Sequence, residues 1–157
     1  MSTIAFAVPA SSFAPFGASH VAERAQSAER AWQPVCIARL HYHLTWSTRG
    51  KSPVLVGKRA AALRSILAEL CRERGILLQA IAVTPSQVRL VVSLRPSQLA
   101  ASVVRELKGR SALALLRQCP DVRVALGGNL AWNDRYAMAT VSPRQLPRLT
   151  EKVSKLA

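Results

Sequence analysis

The chain has 157 residues, half of them apolar, which is enough for one hydrophobic core of ordinary size. Its 22 Lys and Arg against 8 Asp and Glu give a net charge of +14, and the excess falls on residues 35–157 because the first 34 residues are neutral overall. This balance indicates a polyanionic partner, most often nucleic acid. No apolar run reaches the roughly 18 residues that favour a membrane span, and the three scattered cysteines suggest neither a disulfide framework nor a zinc motif.

The first 34 residues are predicted to be a flexible N-terminal tail, because they are rich in Ala, Ser and Pro. A short helix over residues 19–32 is the alternative for the second half of this tail. The tail lacks the basic start of a secretory signal. Reduced, widely spaced thiols favour a cytoplasmic protein, in which residues 35–157 form a single domain without membrane association.

Residues 37–47 begin the regular pattern of the domain, with apolar and polar residues in alternation. Strand side chains point alternately to opposite faces, so this segment is predicted to be a half-buried strand. Its apolar face consists of Leu40, Tyr42, Leu44 and Trp46. A basic loop over residues 48–57 leads to a predicted helix over residues 58–75, which ends at Gly75. The apolar stripe of this helix consists of Leu63, Ile66, Leu67 and Leu70.

Residues 76–83 and 87–94 are predicted to be the second and third strands, joined by a short turn. One face of the third strand consists of Val88, Leu90, Val92 and Leu94. The other face opens with Gln87 and Arg89, which are two residues apart and therefore point the same way. An enzyme would place a pair of metal ligands at this spacing.

A second helix is predicted within residues 95–120. Ser97 is expected to be its N-cap, Gly109 to mark a break or a close approach, and Pro120 to end it. Residues 124–129 are predicted to form a turn.

Residues 130–142 are predicted to be the fourth strand, and the tail beyond it is helical at best, because Pro147 breaks its first part. This order of elements is that of the α+β, ferredoxin-like split βαβ fold, with a four-stranded antiparallel sheet. Both main helices then pack on one face of the sheet and leave the other face available. Since the first and third strands are neighbours in this fold, the available face is predicted to carry His41, His43, Gln87 and Arg89.

Three segments of the domain resemble one known family. They are YHLTWSTRGKSPVL (42–55), LKGRS (107–111) and LAWNDRYAMATVS (130–142), in the family's order. On these segments the chain resembles the single-tyrosine HUH transposases (IS200-like) of small bacterial insertion sequences and of repetitive extragenic palindromes. The resemblance implies a ferredoxin-like fold, a homodimer formed through the sheets, and single-stranded or hairpin DNA as the partner.

The resemblance also implies where an active site would lie. The family cuts single-stranded DNA with a tyrosine nucleophile and a divalent metal held by two histidines around an apolar residue, the HUH motif. The metal offsets charge on the phosphate oxygens while the tyrosine attacks the phosphorus. Here the motif falls on Gln87, Val88 and Arg89. Arginine stays cationic and repels a divalent metal, and a glutamine carbonyl is a weak ligand, so the metal site is expected to be lost.

The family's tyrosine lies on a helix beyond the fourth strand, which corresponds here to a position near Leu149 or Thr150. Its auxiliary glutamine ligand corresponds to a position near Val153 or Ser154. None of these residues can take over the role implied by the family. The two tyrosines of the chain, Tyr42 and Tyr136, match positions of the family that are not catalytic.

Two residue groups have alternative interpretations. His41 and His43 flank Tyr42 in a pattern of their own that could hold a metal, and the alternative is ordinary polar surface. Arg89 could contact directly the phosphate that the metal would have activated, through a two-pronged guanidinium contact, or it could simply be solvated.

A basic surface is predicted to bind nucleic acid, with a solvated helix face as the plain alternative. The predicted binding residues are Arg49, Lys51, Lys58, Arg59, Arg89, Arg105, Lys108, Gly109, Arg110 and Ser111. Gly109 lets a backbone approach a phosphate, and Ser111 can donate to one. Trp46 and Trp132 could stack on bases, although Trp46 lies on the predicted core face.

The sequence thus predicts a catalytically inactive transposase-like protein that binds hairpin or single-stranded nucleic acid without a cofactor, as a regulator or a nucleoprotein subunit. One alternative is an active DNA transposase with an atypical site, which would require Mg²⁺ or Mn²⁺. A second alternative is a protein–protein adaptor. DNA and RNA both stay open as ligands.

Overall fold

The computed structural model of the chain describes residues 38–126 and 131–156, which contain four strands and four α-helices. The strands are β1 (Leu40–Thr48), β2 (Leu77–Thr84), β3 (Gln87–Leu94) and β4 (Trp132–Val141). The helices are α1 (Lys58–Glu73), α2 (Ala100–Gln118), α3 (Pro120–Ala125) and α4 (Leu146–Ser154). The predicted tail over residues 1–34 and the second half of the predicted turn over residues 124–129 lie outside the described residues.

The four strands form one antiparallel sheet in the order β2-β3-β1-β4, which confirms the predicted α+β, ferredoxin-like fold. β1 and β3 are neighbours, as predicted. In their register Trp46 lies opposite Val88, Thr45 opposite Arg89 and Ser47 opposite Gln87. This register puts polar residues of both strands on the same face.

The main core lies between the sheet and the helices α1 and α2. The predicted stripe of α1 is buried, together with Leu44, Leu90 and Leu107, which are at most 1% exposed. The indoles of Trp46 and Trp132 meet edge to face, with ring centroids 6.1 Å apart and planes at 78°. Both tryptophans are buried, so neither is free to stack on a base, and the expectation of base stacking at Trp132 is wrong.

Several predicted helix boundaries are wrong. Ser97 is not an N-cap: α2 begins at Ala100, and residues 95–98 form a separate turn closed by the bond from the Gln98 amide to the Arg95 carbonyl. α2 also runs through Gly109 without a break. Pro120 and Pro147 do not end helices. Each lies in the first turn of a helix, where the backbone N–H that proline lacks would have no partner within the helix.

The sheet face turned away from α1 and α2, here called the outer face, is only partly available. Helix α4 packs on its β2–β3 half, where Leu146, Leu149 and Val153 contact a small second core. The sheet residues of this core are Ala80, Ala82 and Val91. The prediction that the whole face stays available is therefore wrong, because the apolar side of α4 needs a surface to cover it. No helix among the described residues combines the length and apolarity needed to cross a membrane.

Candidate nucleic-acid interface

Gln87 and Arg89 lie together on the outer face of β3 and bind each other. Arg89 donates from Nε and from Nη2 to Gln87 Oε1, at 3.3 and 3.1 Å. Both side chains are half-buried. Gln87 Oε1 is the only side-chain acceptor of the two residues, and it is already bound to the Arg89 guanidinium. Gln87 and Arg89 do not fit the divalent metal that two histidines would hold at these positions.

The resemblance aligns α4 with the tyrosine-bearing helix of the family, and the side of α4 that faces the sheet is apolar. Val153 is 2% exposed, and Leu149 packs half-buried against the same patch. Of the positions where the resemblance implies a nucleophile and an auxiliary ligand, Leu149 and Val153 hold apolar side chains that anchor the helix to the sheet. The alternative positions hold Thr150 and Ser154, so none of the four carries the family's tyrosine or glutamine.

The two histidines of β1 share the outer face with Arg89 but make other contacts. The Ser93 hydroxyl lies 2.6 Å from His41 Nδ1 and accepts a bond from Gln79 Nε2 at 3.1 Å. Burial lowers the pKa of His43, and the charges of Arg89 and Lys152 lower it further. Two nearby cations disfavour a divalent ion at His43. Among the described residues, no group of three or more His, Cys, Asp or Glu is placed to hold a metal.

The structure brings two of the predicted basic segments to the start of β4. After β1, the backbone N–H of Arg49 donates to the Ala131 carbonyl at 3.1 Å. From α2, Lys108 Nζ donates to the carbonyls of Asn133 and Asp134, at 2.7 and 3.1 Å. Two segments about 60 residues apart in sequence therefore flank the same few residues of β4.

Within the LKGRS segment, the side chains have different roles. Lys108 stands 5.7 Å from the centre of the Tyr136 ring, and its burial lowers its pKa. Ser111 is fully buried and accepts a bond from the indole N–H of Trp132 at 3.1 Å, so its predicted role as a phosphate donor is wrong. Gly109 is exposed, and a Cβ added there would meet no described atom within 4 Å. It borders a cavity of about 180 Å³ between α2 and β4.

Other predicted binding residues either form ion pairs or stand in solvent. Arg59 Nε donates to Asp121 at 2.7 Å, and Arg110 Nη2 donates to Glu73 at 2.6 Å. These two cations are directed at protein carboxylates. The cations of the predicted set that are exposed and form no ion pair with a described residue are Arg49, Lys51, Lys58 and Arg105.

Negative charge is concentrated on the helical layer. Five of the six acidic side chains in the described residues form ion pairs, and four of those five lie on α1, α2 or α3. The pairs are Arg59–Asp121, Arg72–Glu69, Arg74–Glu106, Arg110–Glu73, Arg110–Glu106 and Lys155–Glu151. No acidic residue occurs in β1, β2 or β3. The outer face of these three strands is therefore cationic, and the sixth acidic side chain, Asp134, lies exposed at the start of β4 near Lys108.

Sequence inspection missed three cations near this surface. Arg135 is exposed on β4, where alternation places it on the outer face with Ala137, the partner of Thr45. Arg148 and Lys152 lie on α4, above the half of the face that the helix covers. The alternation of β4 was a usable signal for Arg135, whereas the position of α4 was not visible in the sequence.

Replacing Lys108 with methionine is expected to lower the free energy of unfolding by about 1–2 kcal/mol, because two charge-assisted bonds to β4 carbonyls are lost while the aliphatic stem is kept. Urea denaturation of the free protein measures this change. Lys58→Met is the matched control, because Lys58 is exposed at the start of α1. Equal stabilities of the two variants would contradict a bracing role for Lys108.

Comparisons with known proteins agree with this architecture. The family model for IS200-like transposases matches residues 36–153. ISDra2 transposase TnpA of Deinococcus radiodurans is 34% identical over 106 residues, which cover 68% of this chain and 76% of that protein. The transposase for insertion sequence element IS200 of Salmonella typhimurium is 23% identical over 100 residues, 64% of this chain and 66% of that protein.

Two solved structures are similar to the domain. A crystal structure described as that of a transposase from Deinococcus radiodurans R1 has a TM-score of 0.64 and 31% identity, and covers 76% of this chain and 92% of its own. A REP-associated tyrosine transposase bound to a REP hairpin has a TM-score of 0.54 and 17% identity, over 73% of this chain and 64% of its own, and supports the fold alone. The match of the family model and the identity to ISDra2 TnpA together show that the chain belongs to the IS200-like transposase family.

Proposed function

We propose that this chain is a family member that binds hairpin or single-stranded nucleic acid without cutting it. The observation that carries the proposal is the contact between Gln87 and Arg89, which occupies the positions of the family's metal ligands with an amide and a cation. The apolar anchoring of Leu149 and Val153 supports it independently, because a nucleophile and a ligand are missing from the same helix.

The charge distribution supports nucleic acid as the partner. Most carboxylates of the described residues pair with cations on the helices, and β1, β2 and β3 carry no acidic residue, so the outer face presents Arg89 without a carboxylate on these strands. Phosphate backbones are attracted to such a surface regardless of sequence. A hairpin is favoured as the ligand because one similar structure, a REP-associated transposase, is bound to a REP hairpin.

The proposal includes a cytoplasmic homodimer acting as a regulator or a nucleoprotein subunit. Within the described residues β4 pairs only with β1, and residues 134–140 are exposed along it. An uncovered edge strand of this length offers its backbone groups to a second strand, and a second copy of β4 satisfies them symmetrically. The free, buried thiol of Cys71 is compatible with a reducing compartment.

A panel of labelled hairpins with single-stranded flanks, incubated with the purified protein in Mg²⁺ or in EDTA, tests the proposal. We expect the same retarded complex in both buffers and intact oligonucleotide in denaturing gels. The affinity is expected to fall with salt, with a log–log slope of roughly 0.7–0.9 for each phosphate contacted. Cleavage in Mg²⁺ or Mn²⁺ with a covalent protein–DNA adduct would instead establish an active transposase. Absence of binding in either buffer would leave the adaptor function as the better explanation.

A further inference from the structure

A cavity of about 370 Å³ opens where β1 ends and β4 begins, next to the Gln87–Arg89 pair. Its polar lining comes from Thr45, Ser47, Lys51, Gln87, Asn133 and Arg135. Two of these side chains are cations, two are hydroxyls and two are amides, and none is a carboxylate. Such a lining can donate hydrogen bonds from several directions, and its net charge is positive. These properties suit an anion with several acceptor oxygens.

The contact with Arg89 determines which end of Gln87 the cavity can use. A guanidinium only donates, so the Gln87 atom that receives its two bonds must be the carboxamide oxygen. The amide nitrogen of Gln87 is then the end left for a ligand. Arg89 therefore acts as a positioning residue that presents Gln87 as a donor. At this position the family's motif has a histidine that binds a metal cation, whereas this chain has an amide N–H that can donate to an anion.

Lys51 reaches the cavity from a turn with an unusual backbone. Its φ is +54°, a left-handed conformation that a residue with a side chain rarely adopts. The turn is fixed by Thr48, which is fully buried and donates from its hydroxyl to the Ser52 carbonyl at 2.7 Å. This backbone geometry fixes the direction in which the exposed Lys51 side chain leaves the turn. Arg135 enters from the neighbouring strand β4, so the two cations come from different elements.

We propose that this cavity binds one backbone phosphate of the nucleic acid and that it does so without a divalent metal. The proposal rests on the proposed nucleic-acid function and names a site for it. Lys51 and Arg135 supply the charge, and the Gln87 amide donates to a phosphate oxygen. Thr45 and Ser47 add hydroxyl donors at the edge of the site. A phosphate is favoured because its several oxygens match the several donors around the cavity.

Gln87→Glu tests the donor role, because it replaces the amide N–H with an oxygen and keeps the size of the side chain and its contact with Arg89. The probe is a fluorescently labelled hairpin with a single-stranded flank, titrated in EDTA. We expect the affinity to fall about tenfold or more, as for a lost charge-assisted bond. Gln118→Glu makes the same chemical change at an exposed position at the end of α2 and is expected to bind like the wild type. Equal affinity of the two variants would overturn the proposal.

The two cations are tested in the same assay by Lys51→Gln and Arg135→Gln, with Arg117→Gln on α2 as the control. Each of the first two is expected to lower the log–log salt slope by roughly 0.7, the value for one phosphate on a single strand. The control is expected to leave the slope closer to that of the wild type. Slopes that fall equally in all three variants would mean a diffuse field and no defined site, which would overturn the proposal.

A second readout separates this site from the proposed function. The side-chain amide signal of Gln87, observed by ¹⁵N NMR, is expected to shift on titration with inorganic phosphate in the wild type and to shift less in Lys51→Gln. If the protein binds phosphate in this way but binds no hairpin, the proposed function fails and the site stands. If it binds hairpins while the Gln87 signal does not respond and Gln87→Glu has no effect, the site fails and the proposed function stands.

Discussion

A double variant with Gln87→His and Arg89→His is expected to bind Ni²⁺ and to be stabilised by it far more than the wild-type protein. Residues 87 and 89 are two apart on β3 and both lie on the outer face, so two imidazoles placed there point the same way. Imidazole nitrogen is a good ligand for this metal, and the change removes the guanidinium that repels it. At a free metal concentration near 100 times Kd, the stabilisation is about 2.7 kcal/mol.

Thermal unfolding with and without Ni²⁺ measures this effect. Gln87→His alone is the matched control, because it introduces one imidazole beside an intact Arg89 and is expected to gain little. The double variant is still expected not to cut DNA, because Leu149 remains an apolar anchor of α4. Similar stabilisation of all three proteins by the metal would show that the ion is bound elsewhere, with His41 and His43 the first candidates.

The face assignments could be predicted because strand alternation is local. The pattern around Gln87 and Arg89 distinguishes the core face from the outer face without any knowledge of the partner strands. Cross-strand neighbours such as Thr45 and Arg89 follow once the fold is known. Alternation therefore predicts that Gln87 and Arg89 share a face, the resemblance aligns them with the family's HUH motif, and the structure adds their mutual contact.

The positions of α4 and of the ion pairs depend on contacts far apart in the chain. Leu146, Leu149 and Val153 have helical spacing, but a proline at position 147 predicts a break in the helix, whereas in the structure Pro147 lies in the first turn, where proline is tolerated. Nothing local shows that this helix covers half of the outer face. Likewise, Arg59 and its partner Asp121 are 62 residues apart. The sequence therefore gives no sign that the guanidinium of Arg59 pairs with a protein carboxylate.

The docking of α4 leads to the second large effect, which is expected for Val153→Asp. Val153 is 2% exposed against the apolar patch of β2 and β3. A carboxylate in that position has no cation inside the patch to pair with, and burying it unpaired costs several kcal/mol. If the helix undocks, the carboxylate stays in water. The cost is then the lost burial of Val153 and the lost partial burial of Leu146 and Leu149. The free energy of unfolding is therefore expected to fall by about 3 kcal/mol, because the loss cannot exceed the free energy that the docking of α4 contributes.

Limited trypsin digestion distinguishes undocking from a general loss of stability, because α4 carries Arg148 and Lys152. We expect Val153→Asp to be cleaved within α4 much faster than the wild type, while the rest of the domain resists longer. Ser154→Asp is the matched control, since it adds the same charge one residue later, on the exposed side of the helix. If both variants are cleaved at the same rate, charge on the helix and not the apolar contact governs docking. If neither differs from the wild type, the apolar contact of α4 with the sheet does not hold the helix in place.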